Sequence, residues 1–222
     1  MIEVPTIIIN FKTYNQASGI DAVKLTKDCA DISKKTKKSI IVCAQAPDIN
    51  ACSKNKLPVF AQHVDVFEAG GHTGKINIKS LKENGAMGCL VNHSENRISF
   101  KQIMQTVALL AEAEMVSVVC VKNAREAKRV AKLNPDIIAI EPPKLIGGDV
   151  SVTRANPNIV KKSVEAVKSV SDKIPVLCGA GVKNSDDVKK AIELGAMGVL
   201  VASGVTKADN QKSAILELTK GI

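Results

Sequence analysis

A few residues in this chain combine reactive chemistry with a setting that could use it. His93 directly follows the apolar run Cys89–Asn92, and Glu141 directly follows Ile137-Ile138-Ala139-Ile140. A carboxylate at the end of such a run is expected to be partly desolvated and therefore more basic than usual. His93 is followed by Ser94, a residue type that opens helices. A helix N-terminus disfavours an imidazolium, so His93 is expected to stay neutral and donate a hydrogen bond. Asn10 and Lys12 follow the run Thr6–Asn10. Residues two apart on extended chain share a side, so amide and ammonium are expected to face one site. Two small-residue turns, Gly179-Ala180-Gly181 and Ala202-Ser203-Gly204, also follow apolar runs. Such turns let backbone N–H groups approach an anion, above all a phosphate. A base, a neutral donor, a cation and an anion cradle are equipment for acid–base work on a small phosphorylated substrate. Taken singly, each has a structural alternative: a solvated Lys12, a structural His93, a rim salt bridge for Glu141, ordinary glycine turns. His63 and His72 are read as structural or loop residues.

These residues need a scaffold that brings run ends together. The runs Thr6–Asn10, Ser39–Ala44, Val59–Gln62, Cys89–Asn92, Ser117–Val121, Ile137–Ile140, Val176–Cys178 and Val199–Val201 are nearly all apolar rather than alternating. Strands buried on both faces have this composition, which implies a parallel sheet covered by helices. Helical patterns fill the intervals. Phe100, Ile103, Met104, Val107, Ala108 and Ala111 recur at helical spacing as one expected apolar face. Asn156-Pro157 and Ser185-Asp186-Asp187 are expected helix starts, and Gly195 an expected stop. The segment Gly85-Ala86-Met87-Gly88-Cys89-Leu90-Val91 nearly repeats as Gly195-Ala196-Met197-Gly198-Val199-Leu200-Val201, 110 positions later (195 minus 85). That is half the chain, the separation of strands four and eight in an eightfold unit. Eight units in 222 residues give about 28 each. The expected architecture is a single-domain (β/α)8 TIM barrel over residues 1–222, with function at the C-terminal strand ends. A doubly wound open sheet is the alternative. It wants a glycine-rich turn after its first strand, where this chain has Asn10-Phe11-Lys12.

Composition excludes other classes. Apolar residues are 45% and charged residues 24%, ordinary values for a globular protein. No run of eighteen apolar residues is present, so no membrane partner is expected. Met1-Ile2-Glu3-Val4-Pro5 is unlike a signal peptide, and a cytoplasmic location is the default. The net charge is +9, but arginine occurs only at 97, 125, 129 and 154, and aromatics are 2%. A base-stacking surface is not expected, nor nucleic acid as a partner. Six cysteines are present without a C-x-x-C pair. Cys43, Cys89, Cys120 and Cys178 lie in apolar runs and read as buried small hydrophobes in a reducing compartment.

At this point the motifs resemble those of the triosephosphate isomerase family, in order along the whole chain. Asn10-Phe11-Lys12 looks like its N-x-K after strand one, and Gly71-His72-Thr73-Gly74 like its protruding loop after strand three. Asn92-His93-Ser94-Glu95-Asn96-Arg97 resembles H-S-E-x-R, and Ile140-Glu141-Pro142 the general-base motif. Ile146-Gly147 matches the tip of a lid spanning Pro142–Gly148, and Gly179-Ala180-Gly181 and Ala202-Ser203 the phosphate turns. The resemblance implies interconversion of dihydroxyacetone phosphate and D-glyceraldehyde 3-phosphate through an enediol(ate), a step of glycolysis and gluconeogenesis. Glu141 would be the base and neutral His93 the electrophile. Lys12 would steady developing charge, Glu95 would anchor Lys12 or its loop, and Asn10 would position substrate. Phe11, Ile146, Gly147, Gly181, Ala202 and Ser203 complete the implied substrate site, and no metal or organic cofactor is implied. The Thr73 loop would insert beside Asn10 and Lys12 of a second subunit, which implies a homodimer or a homotetramer built as a dimer of dimers.

The chain departs from the family's common pattern in places. It is short, Phe11 stands where Trp is frequent, and Asn92 and Asn96 stand for Gly and Arg. Gly148-Asp149 replaces Thr-Gly at the far lid hinge, and Ala202-Ser203 replaces Gly-Gly. Length and lid look like the archaeal branch. Rival sugar-phosphate barrels fit less well. A Schiff-base aldolase wants a lysine inside a strand, and none of the expected strands has one. A metal epimerase wants several strand-end His and Asp ligands, and only His93 qualifies. A basic, noncatalytic binding barrel is the rival from another class; it has no need of Lys12, His93 and Glu141 together.

Overall fold

A computed structural model describes residues 2–142 and 156–222. Its strands are β1 (Thr6–Asn10), β2 (Ser39–Ala44), β3 (Val59–Ala61), β4 (Gly88–Val91), β5 (Val116–Val121), β6 (Ile137–Ile140), β7 (Val176–Cys178) and β8 (Gly198–Val201). All neighbours pair in parallel in chain order, and β8 returns to β1, so the sheet is a closed barrel. The open-sheet alternative is thereby excluded. Every β1, β4, β6, β7 and β8 residue is buried, as strands sandwiched between a filled barrel and a helical coat must be.

The described helices are α1 (Ile20–Thr36), α2 (Ile49–Ser53), α3 (Ile78–Glu83), α4 (Phe100–Glu112), α5 (Ala124–Ala131), α6 (Pro157–Lys168), α7 (Ser185–Glu193), α8 (Ser203–Thr206) and α9 (Gln211–Thr219). Their apolar faces and the outward strand residues form one core layer, including Ile7, Ile9, Leu25, Val107 and Val188. A second layer fills the barrel with Ile8, Ile41, Phe60, Leu90, Val118, Leu177 and Leu200, and Ile2 packs against it. The barrel interior is therefore a packed core and not a pore.

Three helix expectations need correction. The buried face of α4 is Ile103, Thr106, Val107 and Leu110, while Met104, Ala108 and Ala111 are exposed. Both stripes share Ile103 and Val107; the true one is rotated because Thr106 and Leu110 pack inward. Asn156 does precede Pro157 at the start of α6, but its side chain makes no capping bond. The cap of α7 is Asn184, whose Oδ1 accepts from Asp187 N–H at 3.0 Å. Ser185 instead donates to Glu217 Oε1 at 2.6 Å, tying α7 to α9.

The near-repeat is one structural device used twice. Gly85 and Gly195 take φ of +92° and +93°, closing α3 and α7. Ala86 N–H reaches Leu81 O and Ala196 N–H reaches Ala191 O, both at 3.0 Å. That is the glycine-dependent left-handed helix stop. Met87 and Met197 then hand the chain into β4 and β8 by bonds to Val59 O and Val176 O. At the seam, a Cβ on Gly198 would lie 2.1 Å from Thr6 O, so β8 closes on β1 only with glycine there.

Candidate functional site

Two concavities compete for the site. The more voluminous, 1060 Å³, lies at the N-terminal ends of β5–β8 and includes Glu114, Asp136, Asp172 and Lys173. Asp136 there already accepts from Ser117 N–H and Oγ–H, both at 2.8 Å. The smaller opens at the C-terminal ends and is lined by Asn10, Lys12, His93, Glu141, Gly179–Lys183, Leu200–Val201 and Ala202–Gly204. Only the second combines a histidine, a carboxylate, a lysine and two glycine turns, and it lies where barrels keep their chemistry.

Glu141 leaves β6 in register, its N–H bonded to Val121 O at 2.7 Å. It is 2% exposed. Its Oε1 lies 3.1 Å from His93 Nε2, and its Oε2 accepts from Ser94 N–H at 3.3 Å. A Cβ on Gly179 would stand 2.8 Å from Glu141 Cγ; the glycine after β7 makes the room this side chain uses. Beneath it lies Cys120. Burial first, then the neighbouring Glu141 carboxylate, push that thiol well above its ordinary range, so it stays protonated and can donate. Neither Gly179's spacing role nor Cys120 was anticipated from sequence. Cys120 is inside an apolar run, and only the β5–β6 register brings it beneath Glu141.

His93 is held from behind, though not as its sequence suggests. No helix starts at Ser94; the next begins at Phe100, with Ser99 as its cap. Residues 93–96 form a turn closed by Asn96 N–H to His93 O at 2.8 Å. Within it, Glu95 N–H donates to His93 Nδ1 at 3.2 Å. An Nδ1 that accepts carries no proton, so the neutral ring's proton sits on Nε2, facing Glu141. One backbone N–H, that of Glu95, stands at His93 where a helix dipole was expected. Asn92 sets the turn up. Its φ is +59°, its Nδ2–H donates to Cys120 O at 2.9 Å, and its Oδ1 accepts from Ile98 N–H at 3.1 Å. Left-handed backbone is what Gly or Asn tolerates, which accounts physically for Asn in place of Gly.

Lys12 also reaches the pocket by a route other than the expected one. Its φ is +50°, so the chain is not extended and the two-residue alternation does not apply. Asn10 Oδ1 instead accepts Lys12 N–H at 3.0 Å, a side-chain turn that swings both residues into the pocket. Gln62, unmarked in the sequence reading, donates Nε2–H to Lys12 O at 3.0 Å and Cys43 O at 3.2 Å. Glu95 Oε1 meets Lys12 Nζ at 2.7 Å, from outside the pocket lining. Gly181 (φ +68°), Ala202, Ser203 and Gly204 line the opposite wall, together with Lys183, which the sequence reading did not select. Phe11 stands apart, 0% exposed in the layer between strands and helices. Ile146 and Gly147, with the lid from 143 onward, lie outside the described residues. Among the described residues no cluster of His, Cys, Asp and Glu could hold a metal ion, and no helix is long and apolar enough to cross a membrane.

The family model for triosephosphate isomerase matches residues 5–220. The triosephosphate isomerase of Methanothermus fervidus is 47% identical over 215 residues, covering 96% of this chain and 97% of the relative. That of Methanothermobacter thermautotrophicus is 42% identical over 221 residues, with 99% and 96% covered. That of Methanocaldococcus jannaschii is 42% identical over 217 residues, with 97% and 99% covered. All three organisms are archaea.

Proposed function

The chain belongs to the triosephosphate isomerase family, and from that premise we propose that it interconverts dihydroxyacetone phosphate and D-glyceraldehyde 3-phosphate, as glycolysis and gluconeogenesis both require. The observation that carries this is a buried carboxylate 3.1 Å from an imidazole Nε2, at the mouth of a pocket that also holds a lysine and two glycine turns. Glu141 removes a proton from the hydroxyl-bearing carbon beside the carbonyl. The C–H electron pair becomes the enediol double bond, and the carbonyl π pair moves to its oxygen. Neutral His93 donates from Nε2 to that oxygen and relays protons between the two enediol oxygens. Protonated Glu141 then returns its proton to the adjacent carbon. This is the family's known division of labour rather than a new one.

Lys12 stabilises the charge that develops on the enediolate and attracts the phosphate. Asn10 holds the Lys12 turn and meets substrate, and Glu95 fixes the ammonium. Gly181, Ala202 and Ser203 offer backbone N–H groups to the phosphate. Ile146 and Gly147 act from the lid, which excludes water so that the enediol phosphate does not lose its phosphate. Phe11 anchors the segment carrying Asn10 and Lys12 in the core. No metal or organic cofactor enters any step. Six free, buried thiols suit the reducing cytoplasm as the site of action. We further propose self-association through the Thr73 loop, and a dimer of dimers through the exposed apolar stripe Met104, Ala108 and Ala111 on α4.

The test is a coupled assay of glyceraldehyde 3-phosphate conversion by the parent and by Glu141→Gln. The variant should lose roughly two to four orders of magnitude in kcat, the usual scale for a general base. An inactive parent, or a fully active variant, would refute the assignment.

A further inference from the structure

The wall proposed to hold phosphate is too short to hold itself. α8 has four residues, a single turn, well below the length at which a helix persists alone in water. Its first residues line the pocket, and its last are fastened to the opposite wall. Gln211 Nε2 donates to Thr206 O at 2.9 Å and to Gln16 O at 3.2 Å. Gln16 lies in the short turn Asn15–Ala17, just beyond Lys12. Beside it, the Lys207 ammonium sits 4.6 Å from the centroid of the Tyr14 ring, the residue that opens that same turn. Two contacts of different kinds therefore join the far end of α8 to the segment leaving Lys12. The Gln211 amide is not spent on capping α9, because Asn210 does that by accepting Ser213 N–H at 3.0 Å.

We propose that Gln211 is a positioning residue for substrate binding. Its amide latches α8 to the segment after β1 and so sets the spacing between the Lys12 ammonium and the N–H groups around Ser203. The proposal rests on the phosphorylated-triose reaction above. A substrate that touches both walls senses this spacing. Glu141 and His93 follow β6 and β4, outside the latch, and the proton transfers they make do not run through it. Loss of the latch therefore weakens binding and spares chemistry, a split that a merely stabilising contact does not produce.

The experiment compares the parent, Gln211→Ala and Gln211→Arg by steady-state kinetics, with inorganic phosphate as competitive inhibitor. Gln211→Ala should raise KM and the phosphate inhibition constant together, by roughly three- to tenfold, the scale of one or two neutral hydrogen bonds, with kcat within about twofold. Gln211→Arg offers N–H groups to both carbonyls and should restore both constants to within about twofold of the parent. Unchanged KM and inhibition constants in Gln211→Ala, a fall in kcat at constant KM, or failure of the arginine to rescue would each overturn the proposal. A lowered melting temperature without a change in KM would do so as well. If the parent does not isomerise trioses, the reaction assignment fails, and calorimetric titration with phosphate decides the latch separately. Weaker phosphate binding by Gln211→Ala than by the parent would uphold it; equal binding, or none by the parent, would overturn it.

Discussion

His93 meets a different partner on each ring nitrogen, and the pairing dictates what the ring can do. Nδ1 accepts from the Glu95 backbone and Nε2 faces Glu141, so the tautomer with its proton on Nε2 is the one that fits both partners. The same economy governs Glu141, whose side chain occupies space that a single methyl on Gly179 would take. Gly179→Ala would bring its Cβ within 2.8 Å of Glu141 Cγ and 3.2 Å of Ile140 O. Misplacing a base by even ~1 Å costs on the order of a hundredfold in rate. We expect kcat to fall about ten- to a hundredfold while the melting temperature changes little, as kinetics and calorimetry on one preparation would establish. That His93, Glu141 and Lys12 would share one pocket was legible because each lies within two residues of the end of an apolar run. Conformation was not. Lys12 reaches the pocket through a left-handed turn closed by Asn10, and Ser94, which looks like a helix cap, lies in a tight turn six residues before the helix. Both hinge on backbone bonds formed locally, which residue type alone does not announce.

At the scale of elements, four strands fall on their expected bounds, β1, β2, β6 and β7, because uninterrupted apolar runs mark them. β4 is displaced by one residue. Asn92 turns left-handed and leaves the ladder, while Gly88 joins it opposite Phe60 and Val116. Asn92 thus does the work of a joint between β4 and the His93 turn. Asn92→Ala loses two buried hydrogen bonds and strains the backbone; it should destabilise by ~1–3 kcal/mol in urea titration. Asn92→Gly keeps the backbone at ease and should destabilise less. A second joint links α7 to α9. Lys220 first, and then Ser185, hydrogen-bond Glu217 and lower its pKa from an ordinary 4.5 to about 2. A carboxylate held low in the folded state lends stability above its unfolded pKa and loses it as pH falls from near 4.5 toward 2. Glu217→Gln should therefore lower stability above that window and flatten the acid limb of the stability curve within it. Because the pair is solvent-exposed, the difference should shrink in high salt.

For the whole molecule, assembly is the property most open to measurement. Met104, Ala108 and Ala111 share one face of α4 at helical spacing and are exposed in a single chain, as is the Thr73 loop. Sedimentation equilibrium should give a mass that is a multiple of 23.5 kDa. Met104→Lys combined with Ala108→Glu should reduce a fourfold mass to twofold and keep turnover per subunit. A monomeric, fully active parent would contradict the proposed assembly. The architecture itself was readable because a closed barrel imposes its period on the entire chain. The exposed face of α4 was less readable: Met104, Ala108 and Ala111 match the helical period as well as the core face does, and only packing separates the two.

The seam between β8 and β1 also has a consequence in time. Thr6 pairs with Gly198, so the first strand waits for its second neighbour until residue 198 and those after it in β8 have been translated. At about 5–20 residues per second, the ribosome takes on the order of 10–40 s to cover that interval. Throughout it, Ile7, Ile8 and Ile9 border an edge that nothing yet covers, and an exposed apolar edge invites pairing with other chains. A nascent-chain series arrested at successive lengths should resist protease across β1 only once residue 201 has cleared the exit tunnel.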